Sequence, residues 1–109
     1  MSTLSTHVLD TTLGVPAAGV ALELYKGDVV LFVAHTGTDG RWRCPDALEA
    51  GAYRLSFDVA AYFKAKGVSL ADPPFFDTVT TGFNIAGEGG HYHVPFLVSP
   101  YGYSTYRGS

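Results

Sequence analysis

Two histidines separated by one residue, His91 and His93, are the most suggestive chemical feature of the sequence. Side chains at positions i and i+2 of a β-strand point to the same face, so both imidazoles can contact one substrate or one metal ion. Imidazole exchanges protons near neutral pH and is also the commonest protein metal ligand. A pair of solvated histidines at a sheet edge is the alternative, and the pair by itself does not decide between them.

Other candidates are scattered along the chain. His7 lies in an alternating segment near the start, and Arg41 directly follows the turn residues Asp39 and Gly40. A lone histidine on a strand is more often structural than catalytic, and an arginine at the start of a strand is usually a solvated charge. His35 ends an apolar segment and is interpreted as structural or exposed. A function therefore requires several of these residues to converge.

Two other chemistries are weaker alternatives. Zinc takes three or four N, O or S ligands, but the spacing of the available side chains matches no known zinc pattern. Ser104 is not expected to be a nucleophile, because residues 102–106 lack the second glycine of a Gly-x-Ser-x-Gly elbow. No glycine-rich phosphate loop indicates a nucleotide cofactor. The candidate zinc ligands are His7, Asp10, Cys44, His91 and His93.

Apolar segments cut by turn residues at intervals of roughly 8 to 12 predict an all-β domain. Eight strands are predicted, at about 4–10, 20–26, 29–36, 41–43, 53–57, 76–85, 92–99 and 102–106, with residues 14–16 as a turn. Val59, Tyr62, Phe63 and Lys66 recur at helical spacing, which predicts one short helix over 59–66. Asp58 is its expected N-cap.

Alternation along two of these strands assigns their faces. In the seventh strand Tyr92, Val94, Phe96 and Val98 share the core face, which leaves His91 and His93 on the other. In the first strand we place Val8 inward and His7 outward. A slip of the first strand by one residue would reverse its assignment.

The composition limits the classes of partner. The chain has 109 residues, which predicts a single domain, 1–109. Its net charge is −3 with no basic cluster, so neither nucleic acid nor an anionic membrane is an expected partner. A single cysteine permits no intramolecular disulfide, and with no targeting segment a cytoplasmic location is expected.

The content of charged residues is low. They make up 16% of the chain. A typical soluble domain has roughly 25%. Part of the outer surface is therefore expected to be covered by another subunit, which indicates an oligomer.

Three separated motifs resemble those of the 5-hydroxyisourate hydrolases, transthyretin-related proteins of purine catabolism. The opening motif is Ser5-Thr6-His7-Val8-Leu9-Asp10-Thr11-Thr12 with 14–17, and the central one is Thr38-Asp39-Gly40-Arg41. The closing one is His91-Tyr92-His93-Val94-Pro95 followed by residues 97–109, which end in Tyr-Arg-Gly-Ser. Transthyretins lack the histidines at positions like His7 and His93 and lack this ending, so the resemblance favours the enzyme.

The resemblance implies a transthyretin-like β-sandwich of two sheets, with eight strands and one short α-helix. It also implies a homotetramer, a dimer of dimers, with active sites between dimers. The implied reaction opens the ring of 5-hydroxyisourate with water, giving 2-oxo-4-hydroxy-4-carboxy-5-ureidoimidazoline, without a metal or other cofactor. A transthyretin-type module that binds a small ligand without catalysis is the alternative. The implied catalytic residues are His7, Arg41, His93 and Tyr106, and His7, Arg41, Ser104 and Tyr106 are the implied substrate-binding residues.

Overall fold

Nine strands and one helix make up the computed structural model, which describes residues 1–109. The strands are β1 (Ser2–Asp10), β2 (Val15–Pro16), β3 (Ala21–Lys26), β4 (Val29–His35), β5 (Arg41–Arg43), β6 (Gly51–Asp58), β7 (Thr78–Ile85), β8 (Gly90–Ser99) and β9 (Gly102–Thr105). The helix α1 (Val59–Ala65) lies between β6 and β7. All eight predicted strands and the one short helix are present, so the all-β prediction is confirmed.

The ninth strand is β2, which the sequence predicted to be a turn. The carboxylate of Asp10 accepts hydrogen bonds from the backbone N–H groups of Thr12 and Leu13, both at 2.9 Å. This folds the chain back so that Val15 pairs with Asp10 and Pro16 with Leu9. A proline is tolerated there because β2 is an edge strand.

The strands form two sheets. The first has the order β2-β1-β8-β9, with β5 also paired to β1, and the second has the order β4-β3-β6-β7. β1 and β8 run parallel and every other pair is antiparallel. One edge of each sheet is a strand from the C-terminal half of the chain, β9 in the first sheet and β7 in the second.

The core lies between the two sheets. Val8 and Phe96 of the first sheet and Leu24 and Phe57 of the second are fully buried, and the rings of Phe57 and Phe96 lie 4.6 Å apart. Because side chains alternate along a strand, the residues flanking Val8 face outward, and His7 is half-buried on that side. The predicted faces of β1 and β8 are confirmed.

The helix is anchored at its start and in its middle. Asp58 caps it by accepting a hydrogen bond from the backbone N–H of Ala61, as predicted, and it ends one residue before the predicted Lys66. Tyr62 donates a 2.7 Å hydrogen bond to Oδ2 of the buried Asp10, which ties α1 to the end of β1. With seven residues, α1 is too short to cross a membrane, and it is the only helix.

We expect Tyr62→Phe to destabilise the fold, because it leaves a buried oxygen of Asp10 without its hydroxyl donor. The loss is about 1–3 kcal/mol in the free energy of unfolding. Urea denaturation at one fixed protein concentration measures it, with Tyr25→Phe as the control, since the Tyr25 hydroxyl contacts the carboxylate of Glu23, which is not buried. Equal midpoints for the two variants would contradict this account of the Asp10 contact.

Candidate active site

The outer face of the first sheet, meaning the face turned away from the core, carries polar side chains in rows across neighbouring strands. Strand pairing brings β5, β1 and β8 side by side, so residues far apart in the sequence become neighbours. One row consists of Arg41, His7 and Pro95, and the next consists of Arg43, Ser5 and His93.

An open cavity of about 610 Å³ lies on this face. Only one of its nine lining residues is hydrophobic. It is therefore suited to a polar ligand that hydrogen-bonds, not to an apolar one. The lining includes Arg41, Arg43, His91, His93 and Ser109.

The turn before β5 fixes the position of Arg41. Gly40 has a φ of 77°. A Cβ there would lie 2.5 Å from the carbonyl oxygen of Val8, so only glycine fits. Val8 N–H donates to the Gly40 carbonyl at 2.8 Å, which holds the turn against β1.

The Arg41 guanidinium is available to a ligand. Its side chain is 57% exposed, and its Nε is 3.9 Å from Oδ2 of Asp39. An exposed ion pair at this separation is weak. The guanidinium is therefore free to bind an anion.

The same turn determines which nitrogen of His7 is available. Nε2 of His7 lies 2.8 Å from the backbone carbonyl oxygen of Asp39. A carbonyl can only accept, so Nε2 carries the hydrogen and donates it. In the neutral ring Nδ1 then has the lone pair. His7 can therefore act as a base through Nδ1 while the turn holds the ring in place.

His93 is held by Ser5, whose Oγ lies 2.8 Å from Nδ1 of the imidazole. Burial lowers the pKa of His93, and the nearby Arg41, His91 and His7 lower it further because they disfavour another positive charge. A lowered pKa keeps the ring neutral at neutral pH, and only the neutral ring can take a proton. His93 has the properties of a general base.

The C-terminal segment packs against His93. Gly108 N–H donates to the His93 carbonyl at 2.7 Å, and a Cβ on Gly108 would lie 2.8 Å from Cδ2 of the imidazole. The Arg107 guanidinium lies 4.1 Å from the centre of the Tyr92 ring, a cation–π contact that anchors the segment. These contacts bring Ser109 to the cavity.

Ser104 and Tyr106 lie outside this cavity. Ser104 pairs with Leu97, whose side chain faces outward. Tyr106 follows the end of β9 and lines a second cavity with Phe83 of β7 and Tyr92 of β8. One chain therefore gathers Arg41 and His93 with His7 next to them, and leaves Tyr106 and Ser104 farther along.

Sequence reasoning missed two residues of the site, Ser5 and Ser109. Side chains alternate along β1, so the sequence itself indicates that Ser5 lies on the same face as His7. Its contact with His93 depends on how β1 and β8 pair. Ser109 belongs to the closing motif, yet its place depends on Gly108 docking on β8.

The residues proposed as alternative zinc ligands are not brought together. Asp10 is buried beneath the sheet against Tyr62, and Cys44 is buried in the core, where desolvation raises the pKa of its thiol. Both side chains lie on the core side, whereas His7, His91 and His93 face outward. No three His, Cys, Asp or Glu side chains are placed to hold one metal ion.

Comparison with known proteins identifies the family. Residues 4–108 match the model of the HIUase/transthyretin family. The chain belongs to this family. A relative from Ralstonia nicotianae named 5-hydroxyisourate hydrolase is 49% identical, and the alignment covers 100% of both chains.

Solved structures of the HIUase/transthyretin family have the same fold. The 5-hydroxyisourate hydrolase of Klebsiella pneumoniae superposes with a TM-score of 0.87 at 39% identity, with 100% of both chains covered. A sea bream transthyretin in complex with thyroxine superposes with a TM-score of 0.81 at 28% identity, covering 96% of this chain and 93% of that one. The expected transthyretin-like sandwich is thus confirmed.

We expect Arg41→Gln to raise the pKa of His93, because the substitution removes one of the positive charges that disfavour the imidazolium. NMR titration of the imidazole signals measures the change. Arg54→Gln is the matched control, since Arg54 lies on β6 in the other sheet. A His93 titration curve that does not move in Arg41→Gln, or moves equally in the control, would contradict the electrostatic account.

Proposed function

We propose that this protein hydrolyses 5-hydroxyisourate to 2-oxo-4-hydroxy-4-carboxy-5-ureidoimidazoline in urate degradation. The observation that carries the proposal is the convergence of two imidazoles, His7 and His93, and the Arg41 guanidinium on one polar face. The names of the relatives that match along the whole chain support it. They favour hydrolysis over the transthyretin-type binding module, because the transthyretin match is more distant.

In the proposed mechanism, water attacks a ring carbonyl of the substrate and the carbon–nitrogen bond opens. His93 and His7 orient the water and move its protons, one as base and the other as acid toward the leaving nitrogen. Arg41 binds substrate oxygens and offsets the negative charge that develops on the attacked carbonyl. These steps use only water and side chains of the protein.

Ser104 and Tyr106 are proposed to bind the substrate ring, with Tyr106 also in the catalytic set. Ser104 lies on the outer face beyond the cavity of one chain, and Tyr106 lines a second cavity. We infer that a homotetramer, a dimer of dimers, brings this face against another subunit and completes the site. The unpaired edges of β7 and β9, with the exposed Tyr101 and Tyr103 beside β9, support subunit contacts at the sheet edges. A cytoplasmic location is part of this proposal.

We expect His7→Ala and His93→Ala each to slow ring opening by about 10²- to 10⁴-fold, because each removes a group that transfers protons. The assay generates 5-hydroxyisourate from urate with urate oxidase and follows its decay by absorbance. Wild-type protein should accelerate the decay above the spontaneous rate.

His35→Ala is the matched control, because His35 ends β4 in the other sheet and should leave the rate unchanged. Wild-type protein that does not accelerate the decay would contradict the proposed function. Active His7→Ala and His93→Ala variants would instead contradict only the roles assigned to the two histidines.

We expect activity per subunit to fall as the protein is diluted below the concentration at which the tetramer dissociates. The physical reason is that one chain leaves the site open on its outer face. Mass photometry gives the population of each oligomer and the absorbance assay gives the rate at the same concentrations. A monomer with full activity would show that neighbouring subunits contribute nothing to the site.

A further inference from the structure

One continuous hydrogen-bonded chain on the outer face links four side chains, Thr3, His91, Ser5 and His93. The proposed mechanism of hydrolysis uses only His93. Nδ1 of His91 lies 2.6 Å from Thr3 Oγ1, and its Nε2 lies 2.9 Å from Ser5 Oγ. The same Ser5 Oγ lies 2.8 Å from Nδ1 of His93. The two imidazole rings are 6.4 Å apart and only 16° from parallel. A single hydroxyl therefore links both imidazoles.

This chain has two consistent arrangements of its hydrogens, since a hydroxyl and a neutral imidazole each donate only one. In the first, Thr3 donates to His91, His91 donates from Nε2 to Ser5, and Ser5 donates to Nδ1 of His93. In the second, every hydrogen bond is reversed and His93 donates from Nδ1 to Ser5. Only the second leaves a lone pair on Nε2 of His93, so only it makes His93 a base toward the cavity.

The two imidazoles of this hydrogen-bonded chain differ in their exposure to solvent. His93 is half-buried against Gly108, and its Nε2 has no hydrogen-bond partner within the protein. His91 is exposed, so water can stabilise a positive charge on it. A proton that reaches His91 can therefore leave directly to water. The charged or titratable groups around His93 are His7, Asp39, Arg41, Arg43 and His91.

Ring opening requires a path by which a proton leaves the cavity for solvent. Of the two protons of the attacking water, one ends on the leaving nitrogen. The other is released, because the carboxylic acid that forms is ionised at neutral pH. Each turnover therefore sends one proton from the half-buried cavity to solvent.

On the basis of the proposed hydrolysis, we propose that Ser5 and His91 are positioning residues that keep Nε2 of His93 free as a base and pass its proton to solvent. When Nε2 takes a proton from the attacking water, the Nδ1 hydrogen of His93 passes to Ser5 Oγ. The Ser5 hydroxyl hydrogen passes at the same time to Nε2 of His91. His91 then carries the positive charge until its Nδ1 hydrogen leaves to water. Exchange of the imidazole and hydroxyl hydrogens with water then returns the network to the second arrangement, in which Nε2 of His93 is again free.

Kinetics of variants test this role. We expect Ser5→Ala and His91→Ala each to lower kcat by about 10- to 100-fold, with a much smaller change in KM. The double variant should be no slower than the slower single variant, because both changes break the same path. Ser5→Thr, which keeps the hydroxyl, should retain most of the wild-type kcat.

The matched control is Ser56→Ala, which removes a serine hydroxyl from β6 that accepts a hydrogen bond from Thr80. It should leave kcat unchanged. Imidazole added to the buffer should partly restore kcat in His91→Ala but not in His93→Ala, because only the first variant keeps the base. A purely structural role for His91 predicts no such rescue.

Three results would overturn the proposal: wild-type kcat in Ser5→Ala, additive losses in the double variant, or no rescue by imidazole. Failure of the proposed hydrolysis gives a different pattern, namely no activity in the wild-type protein. Nitrogen NMR of the imidazoles then tests the hydrogen-bonded chain by a measurement that does not depend on catalytic activity. Ser5→Ala should change the Nδ1 and Nε2 signals of His93, and unchanged signals would contradict the coupling.

Discussion

The in-register parallel pairing of β1 with β8 is the constraint on which the rest of the site depends. It runs from Ser2 opposite Gly90 to Asp10 opposite Val98. The buried side chains of Val8 and Phe96 hold this register, because a slip of one strand by one residue would turn its apolar face to solvent. The slipped strand would also turn its histidine, His7 or His93, into the core. Burial of the core therefore determines the geometry of the site.

Hydrogen bonds to the backbone and to Ser5 then determine what each imidazole can do. The carbonyl of Asp39 fixes the hydrogen of His7 on Nε2, and Ser5 faces Nδ1 of His93. Each ring thus keeps one nitrogen for other partners. Burial holds the pKa of His93 below its usual range, together with the charge of Arg41 next to it. The proposed attack of water on a ring carbonyl requires a neutral base beside a cation, and His93 next to Arg41 provides this arrangement.

The site of one chain is an open face, and this explains several features together. The cavity is polar, the residues at the end of the chain are nearly uncharged, and β7 and β9 are edge strands. A neighbouring subunit on this face would exclude water from the bases and bring Tyr106 and Ser104 into use. The docking of Gly108 against His93 shows that even within one chain the last residues complete the site.

The sequence by itself determined the elements and their faces, because alternation, capping and turn preferences are local. Val8 inward and His7 outward, the Asp58 cap and the turn at Gly40 all follow from neighbouring residues. The motifs also identified His7, Arg41 and His93. Only the tertiary structure decided which of these residues meet, since Ser5 and His93 are 88 positions apart and no local pattern specifies a parallel pairing. For the same reason it alone located Ser5 and Ser109, linked His91 to His93 through Ser5, and showed that residues 15–16 form a strand.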